Sequence, residues 1–310
     1  MNPKTEAPIL KQGVRQVILM LLAIMLGLLA PARGQVLVSE SIRFGFGLGT
    51  LESATYSAVR RQIATCGGAG AFLWDFETGE VVREFTGHTG ILTSVTFSPN
   101  GTRILAGSWG TWNNSFYEGK AWLWDASSGS LLRTFTGHTS VVSCVAFSPD
   151  DSQVLTGSWD GSARLWDAGT GTLLQTYSHS DWYGINSVAF SPDGTHILTG
   201  SGDRIARLWD ASTAVVVRTF TGHTTTVTSV AFSPDGSHVI TGSGYPDNTA
   251  REWDGSTGTE LRTFTGHNSR IASVAYLQNA PYILTGSWDD TARLWDVSTG
   301  EVRQAFTGHT

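Results

Sequence analysis

Three residue types capable of nucleophilic chemistry recur together in this chain. His138 is followed by Asp160, His179 by Asp203, His223 by Asp247 and His267 by Asp289, with hydroxyl residues such as Thr156 and Ser158 between them. Histidine, aspartate and a hydroxyl are the parts of a hydrolase triad, in which the imidazole takes the hydroxyl proton and the carboxylate orients the imidazole. A nucleophile site occurs once in a chain, whereas this set occurs four times in register. In each copy the Asp stands six residues before a Trp: Trp166, Trp209, Trp253 or Trp295. Four copies in phase are what a structural repeat demands, so the set is expected to hold elements together and not to turn over a substrate.

The elements that position these residues are written six times. Trp-Asp recurs at 74–75, 124–125, 166–167, 209–210, 253–254 and 295–296, at spacings of 50, 42, 43, 44 and 42. Gly-His recurs at 87–88, 137–138, 222–223, 266–267 and 308–309, with Ser178-His179 in the remaining slot. One unit, VTSVAF-SPDG-SHVITGS then AREWD then ELRTF, is four strand-length runs rich in Val, Ile, Thr and Phe, split by turn residues. Ser191-Pro192-Asp193-Gly194 and Ser233-Pro234-Asp235-Gly236 place Pro where a type I turn wants φ near −65° and Gly at its end. The strands do not alternate cleanly between apolar and polar, as expected where both faces of a sheet are covered. One such sheet cannot bury its faces alone, so the units must stack in a ring.

A repeat of about 42 residues marked by Gly-His and Trp-Asp closely resembles the WD40 repeat family, over about residues 42–310. The resemblance implies an all-β fold, a β-propeller of six four-stranded blades with strands a to d running outwards from a central channel. It also implies that His, Asp, Ser/Thr and Trp form a hydrogen-bonded set in each blade: His138, Asp160 and Trp166; His179, Asp203 and Trp209; His223, Asp247 and Trp253; His267, Asp289 and Trp295. Blade 2 carries Glu118 in the Asp place, and blade 1 has Gly68 there and Gly47 for His. Those two blades are expected to be less tightly knit. Residues 36–44 align with a d strand, so the chain holds six blades plus one extra N-terminal strand. Either a six-blade ring closes with that strand surplus, or a seven-blade ring lacks strands a, b and c of its last blade.

Function is expected where the copies depart from one another. In antiparallel blades the d–a and b–c loops lie on one face and the a–b and c–d loops on the other. The length changes fall on the first face: about eight extra residues from Gly110 to Gly119 in blade 2, Asp181-Trp182-Tyr183-Gly184 in blade 4, and the turn at Tyr245-Pro246 in blade 5. Of the 12 Trp residues, six belong to Trp-Asp pairs, and all but Trp122 of the rest (Trp109, Trp112, Trp159, Trp182 and Trp288) fall in b–c or d–a loops. With Phe116, Tyr117, Tyr183 and Tyr245 they form a candidate binding face, since exposed aromatic clusters mark interaction surfaces and Trp and Tyr are preferred anchors. For Trp109, Trp159 and Trp288, each after Gly-Ser, the alternative reading is that they are parts of the repeat that cover the blade tops.

Composition narrows the partners. Only 15% of residues are charged, with 36 Gly and 12 Trp, which argues against disorder and against collagen. Residues 1–16 are basic, Val17 to Ala30 is an unbroken apolar run, and Ala30-Pro31-Ala32 follows. Together these are the marks of a signal peptide over residues 1–32, ahead of a propeller over 33–310. Secretion or a periplasmic location is therefore expected, with an uncleaved membrane anchor as the alternative. The remaining chain is acidic and keeps Lys120 as its one lysine, a poor phosphate binder, so nucleic acid is excluded as a partner. Cys66 and Cys144 are placed in non-adjacent blades, and no disulfide is expected. No phosphate loop, histidine metal motif or calcium loop appears, so no cofactor or metal is expected. The sequence thus predicts a non-catalytic scaffold for a protein or peptide partner. A carbohydrate-binding propeller is the second reading and a propeller hydrolase the third.

Overall fold

The computed structural model describes residues 51–113, 116–179 and 183–307, and over 111–113 and 116–117 the backbone alone. The expected signal peptide, the strand over 36–44, Gly47, Trp182 and His309 lie outside the described residues.

Six four-stranded antiparallel sheets follow one another along the chain, each a simple meander. Blade 1 is Leu51–Ser57, Gln62–Gly67, Gly70–Asp75 and Val81–Phe85; blade 2 is Leu92–Phe97, Arg103–Ser108, Ala121–Asp125 and Leu131–Phe135. Blade 3 is Val142–Phe147, Gln153–Ser158, Ser162–Asp167 and Leu173–Ser178; blade 4 is Ile185–Phe190, His196–Ser201, Ile205–Asp210 and Val216–Thr221. Blade 5 is Val227–Phe232, His238–Ser243, Ala250–Asp254 and Glu260–Phe264; blade 6 is Ile271–Tyr276, Tyr282–Ser287, Ala292–Asp296 and Val302–Phe306. The insertion in blade 2 is a short hairpin, Thr111–Asn113 against Phe116–Glu118, with Trp112 paired opposite Tyr117.

Burial explains why a period of two is missing from the sequence. Strand b is buried along nearly its whole length in every blade, as in Gln153–Ser158, because neighbouring blades cover both of its faces. Strand d is the outer edge and exposes all but its last residues, as in Leu131–Phe135. Strand b also carries a glycine where the next blade presses close. A Cβ at Gly157 would lie 2.5 Å from the Cys144 sulfur and 2.9 Å from Ile185 of blade 4.

Three repeated contacts join successive blades, the first from blade 2 onwards and the other two from blade 1. First, strand a carries a β-bulge at its second residue, and a bulge re-aims a side chain out of the pleat. The bulged residue clasps the strand-a backbone of the following blade: Thr93 to the Val142 carbonyl, Ser143 to Ile185, Asn186 to Val227 and Thr228 to Ile271. Second, a strand-d side chain reaches the c–d turn of the following blade: Arg83 to Ser128, Arg133 to Gly169, Gln175 to Ser212, Arg218 to Ser256 and Arg262 to Ser298 and Thr299. Third, the last aromatic of strand d packs on the Trp of the following Trp-Asp pair, as Phe135 does on Trp166 with ring centroids 5.6 Å apart. These series end at blade 6. Ala272 stands at the bulge with no hydroxyl, Gln304 bonds to the neighbouring Ala305 carbonyl, and Phe306 is only half-buried. Among the described residues none of the three contacts links blade 6 to blade 1.

Cys66 and Cys144 are separate free thiols. Burial pushes the Cys144 thiol up to about 12 and the Cys66 thiol higher still, so neither is a reactive nucleophile.

Candidate functional site

The four His–Asp sets assemble in blades 3 to 6. In blade 3, His138 Nδ1 lies 2.8 Å from Asp160, His138 Nε2 lies 2.8 Å from Thr156 Oγ1, and the Trp166 indole N–H donates to the same hydroxyl at 2.9 Å. Thr156 is the central hydroxyl; Ser158 instead bonds the Asp160 amide and the Ser140 carbonyl. Blades 4, 5 and 6 repeat this with Thr199, Thr241 and Thr285. Where the imidazole donates Nδ1–H to the carboxylate, Nε2 is left to accept from the threonine hydroxyl, whose oxygen accepts from the indole. All four threonines have 0% exposure. A hydroxyl with no path to solvent cannot attack a substrate, so each set works as a strut tying strand b, strand c and the d–a loop.

The electrostatics agree. Burial pushes the Asp160 carboxyl up, but the hydrogen bond and charge of His138 and the Ser162 hydroxyl outweigh it and hold Asp160 well below the usual range. Asp203 sits at about 2: burial works upward and the bonds from His179 and Arg207 win. Asp247 and Asp289 are also lowered against their burial, by His223 and Thr249 and by Thr291 and the Asn268 amide. Burial lowers His179 and His267, partly opposed by their aspartates and reinforced by Arg207 and Arg293. Histidines depressed in the fold add stability that is complete above the unfolded value of about 6.5 and is lost as pH falls. The aspartates add stability that is lost from about pH 4 downwards. Denaturant midpoints measured from pH 7.5 to 2.5 are therefore expected to fall in two stages, the first starting below about 6.5.

Blades 1 and 2 depart as the residues suggest. Blade 2 has Ala106 in the threonine place, so the Trp124 indole donates to the Thr86 carbonyl at 2.8 Å. Glu118 turns to Lys120 at 3.6 Å, and His88 packs edge-on to Trp122 and Trp124. Blade 1 keeps the Trp74–Thr65 bond at 2.7 Å.

On the d–a and b–c face, the described aromatic candidates divide. Trp109 and Trp159 of adjacent blades meet edge to face, with centroids 5.7 Å apart. Trp159 in turn lies against Gly184, where a Cβ would come within 2.8 Å of its ring, and Tyr183 rests over Gly202. Trp109, Trp159 and Tyr183 thus form one arc across blades 2 to 4, and they remain 40%, 45% and 53% exposed. Tyr245 is exposed in the b–c turn of blade 5, apart from this arc. Trp288 is half-buried beneath the Arg270 guanidinium, 4.9 Å from its ring. Trp112, Phe116 and Tyr117 belong to the hairpin beside Trp109, and their side chains, like Trp182, lie outside what is described.

The opposite face holds features that length comparison of the loops passes over. Phe97, Phe147, Phe190, Phe232 and Tyr276 close strand a in successive blades and line a cavity of about 550 Å³ at the channel mouth. Glu252 occupies the strand-c position held by Leu in the other five blades, a departure visible when the copies are compared column by column. Among the described residues no group of three or more His, Cys, Asp or Glu is arranged to hold a metal, and no helix is long and apolar enough to cross a membrane.

Six meander blades, each ordered by the buried Trp of a Trp-Asp pair, define a WD-repeat β-propeller. The family described as the IFT122 first beta-propeller matches residues 115–310, well over half of the chain, and the protein belongs to it. The WD domain, G-beta repeat family matches residues 79–125. No curated protein matches the chain. WD40 propellers are in general protein–protein interaction scaffolds.

Proposed function

We propose that this protein is a non-catalytic, extracytoplasmic scaffold that holds a protein or peptide partner on its d–a and b–c loop face. The observation that supports this reading is the contact of Trp109 with Trp159 across blades 2 and 3, beside Tyr183 in the next d–a loop, all three exposed. A large aromatic anchor that is already held in place loses little freedom on binding, which is why Trp and Tyr dominate such interfaces. The hairpin with Trp112, Phe116 and Tyr117 and the loop with Trp182 extend the same face in sequence. The basic start and apolar run of residues 1–32 support export; mass spectrometry of the mature N-terminus tests it, and a chain retaining Met1 in the cytoplasm would refute it.

The binding test compares the wild type with the double variant Trp109→Ala, Trp159→Ala in affinity capture from the extracytoplasmic fraction, beside a glycan array. The expected result is a specific polypeptide captured by the wild type and weakened at least tenfold by the double variant. Capture unaffected by the variant would move the site elsewhere. Array binding abolished by the same variant would make the arc a sugar platform.

A further inference from the structure

The a–b and c–d face carries two equivalent cavities with different chemistry. One lies between blades 4 and 5, has a volume of about 570 Å³ and is lined by Pro192, His196, Leu208 and Phe232. The other lies between blades 5 and 6, has a volume of about 580 Å³ and is lined at the same repeat positions by Pro234, His238, Glu252 and Tyr276. Leu208 and Phe232 form an apolar pair; in the second cavity both members have become polar together.

Glu252 is only 4% exposed. Its one hydrogen-bond partner among the described residues is the Tyr276 hydroxyl, which donates to Oε1 at 3.0 Å. A carboxylate has about four acceptor positions, and an ionised one buried without compensation is costly. Among the described residues no cationic side chain pairs with Glu252. The Arg262 guanidinium also lines the cavity, but it is turned to the Thr299 and Ser298 carbonyls at 2.9 and 2.6 Å. His238 Nδ1 is engaged by Ser237. Asp235 at the rim adds a second carboxylate, which the Ser233 and Ser237 hydroxyls bring down to about 2, so it stays charged. Gln278 adds one uncharged amide to the wall, and the remainder is apolar: Leu261, Leu277, Ala280, Pro281 and Val297.

We propose that this cavity receives the side chain of an arginine or lysine from a partner polypeptide. The cationic head pairs with Glu252 and is drawn in past Asp235. Its methylene stem lies along Leu261 and Pro281, the arrangement by which long cationic side chains bury their stems. A charge-assisted bond to a buried carboxylate supplies the partner that Glu252 lacks. The site is on the face opposite the aromatic arc and stands whether or not that arc binds anything.

The test uses the full chain and the blocked peptide acetyl-Gly-Arg-Gly-amide, with the citrulline peptide as its neutral isostere and butylguanidine as a free cation, each titrated by NMR. Expected are saturable binding of the arginine peptide and at least tenfold weaker binding of both comparators. Glu252→Gln is expected to weaken the arginine peptide at least tenfold. The double variant Glu252→Leu, Tyr276→Phe restores the pair found in the other cavity; it should fold, raise Tm by a few degrees and abolish binding. Trp109→Ala with Trp159→Ala should change nothing here, which separates this site from the loop face. Equal binding of the arginine and citrulline peptides, no saturation by the arginine peptide, or unchanged binding in the Leu–Phe variant would overturn the proposal. Butylguanidine binding as tightly as the peptide would overturn the polypeptide part of it.

Discussion

Replacing Thr156 by valine is expected to destabilise the protein by about 2–4 kcal/mol, although the two side chains have nearly the same shape. Thr156 Oγ1 is the shared partner of His138 Nε2 and the Trp166 indole. Both rings are buried, with 3% and 4% exposure, so neither orphaned nitrogen finds water when the hydroxyl goes. An unpaired buried polar group costs about 1–3 kcal/mol, and here there are two. Valine returns part of this by burying an extra methyl group. Blade 2 is the natural control: with Ala106 at the equivalent place its Trp124 bonds a backbone carbonyl instead, so Ala106→Thr should shift stability much less. Guanidinium midpoints of the two variants beside the wild type measure the difference. A loss below about 0.5 kcal/mol for Thr156→Val would mean that the His–Asp–Thr sets do not hold the blades.

The repeat was legible because its marks sit at fixed places in every copy. Trp-Asp locates strand c, and Ser-Pro-Asp-Gly locates the a–b turn; the pattern puts the four strands of blade 2 at 91–98, 102–108, 119–125 and 130–137, each end within about two residues of the strand observed. The His–Asp pairs were legible for the same reason, as was the departure of blades 1 and 2 from that set. The choice of Thr156 over Ser158 was not legible. Two hydroxyls two residues apart on a strand point the same way, and only the depth of each in the blade decides which one meets the histidine. The clasps of Thr93, Ser143, Asn186 and Thr228 were hidden by their bulges, because a bulge breaks the alternation that assigns a strand residue to a face. The aromatic arc was half legible. Trp109 and Trp159 are each named by the repeat, but their contact joins two blades, and no spacing within one copy reports it. Trp288 occupies the matching place in blade 6 and differs through Arg270, which covers its ring. Glu252 left a clear signal of another kind, a charge where five copies have leucine.

Gly119→Ala is expected to destabilise by about 3 kcal/mol or more and to disturb the aromatic face with it. Gly119 follows the Thr111–Asn113 and Phe116–Glu118 hairpin and leads into strand c of blade 2. A Cβ there would lie 2.2 Å from the Ser140 carbonyl oxygen and 2.7 Å from the Val142 nitrogen. Both are backbone atoms at the start of blade 3, so no rotamer change relieves the overlap. Either the hairpin lifts from blade 3 or blade 3 moves from blade 2. Trp109 and Trp159 approach one another across this same junction, so their contact should loosen too. Gly79→Ala is the comparison: its φ of +69° makes a side chain strained, but nothing lies within 4 Å of its Cβ position. It should cost only about 1–2 kcal/mol and leave the tryptophan signals alone. Near-ultraviolet circular dichroism read beside the guanidinium midpoint separates the two cases. A Gly119→Ala protein with wild-type midpoint and wild-type aromatic signals would show that the hairpin base has room to spare, and that the close approach of blades 2 and 3 is not what sets the position of Trp109.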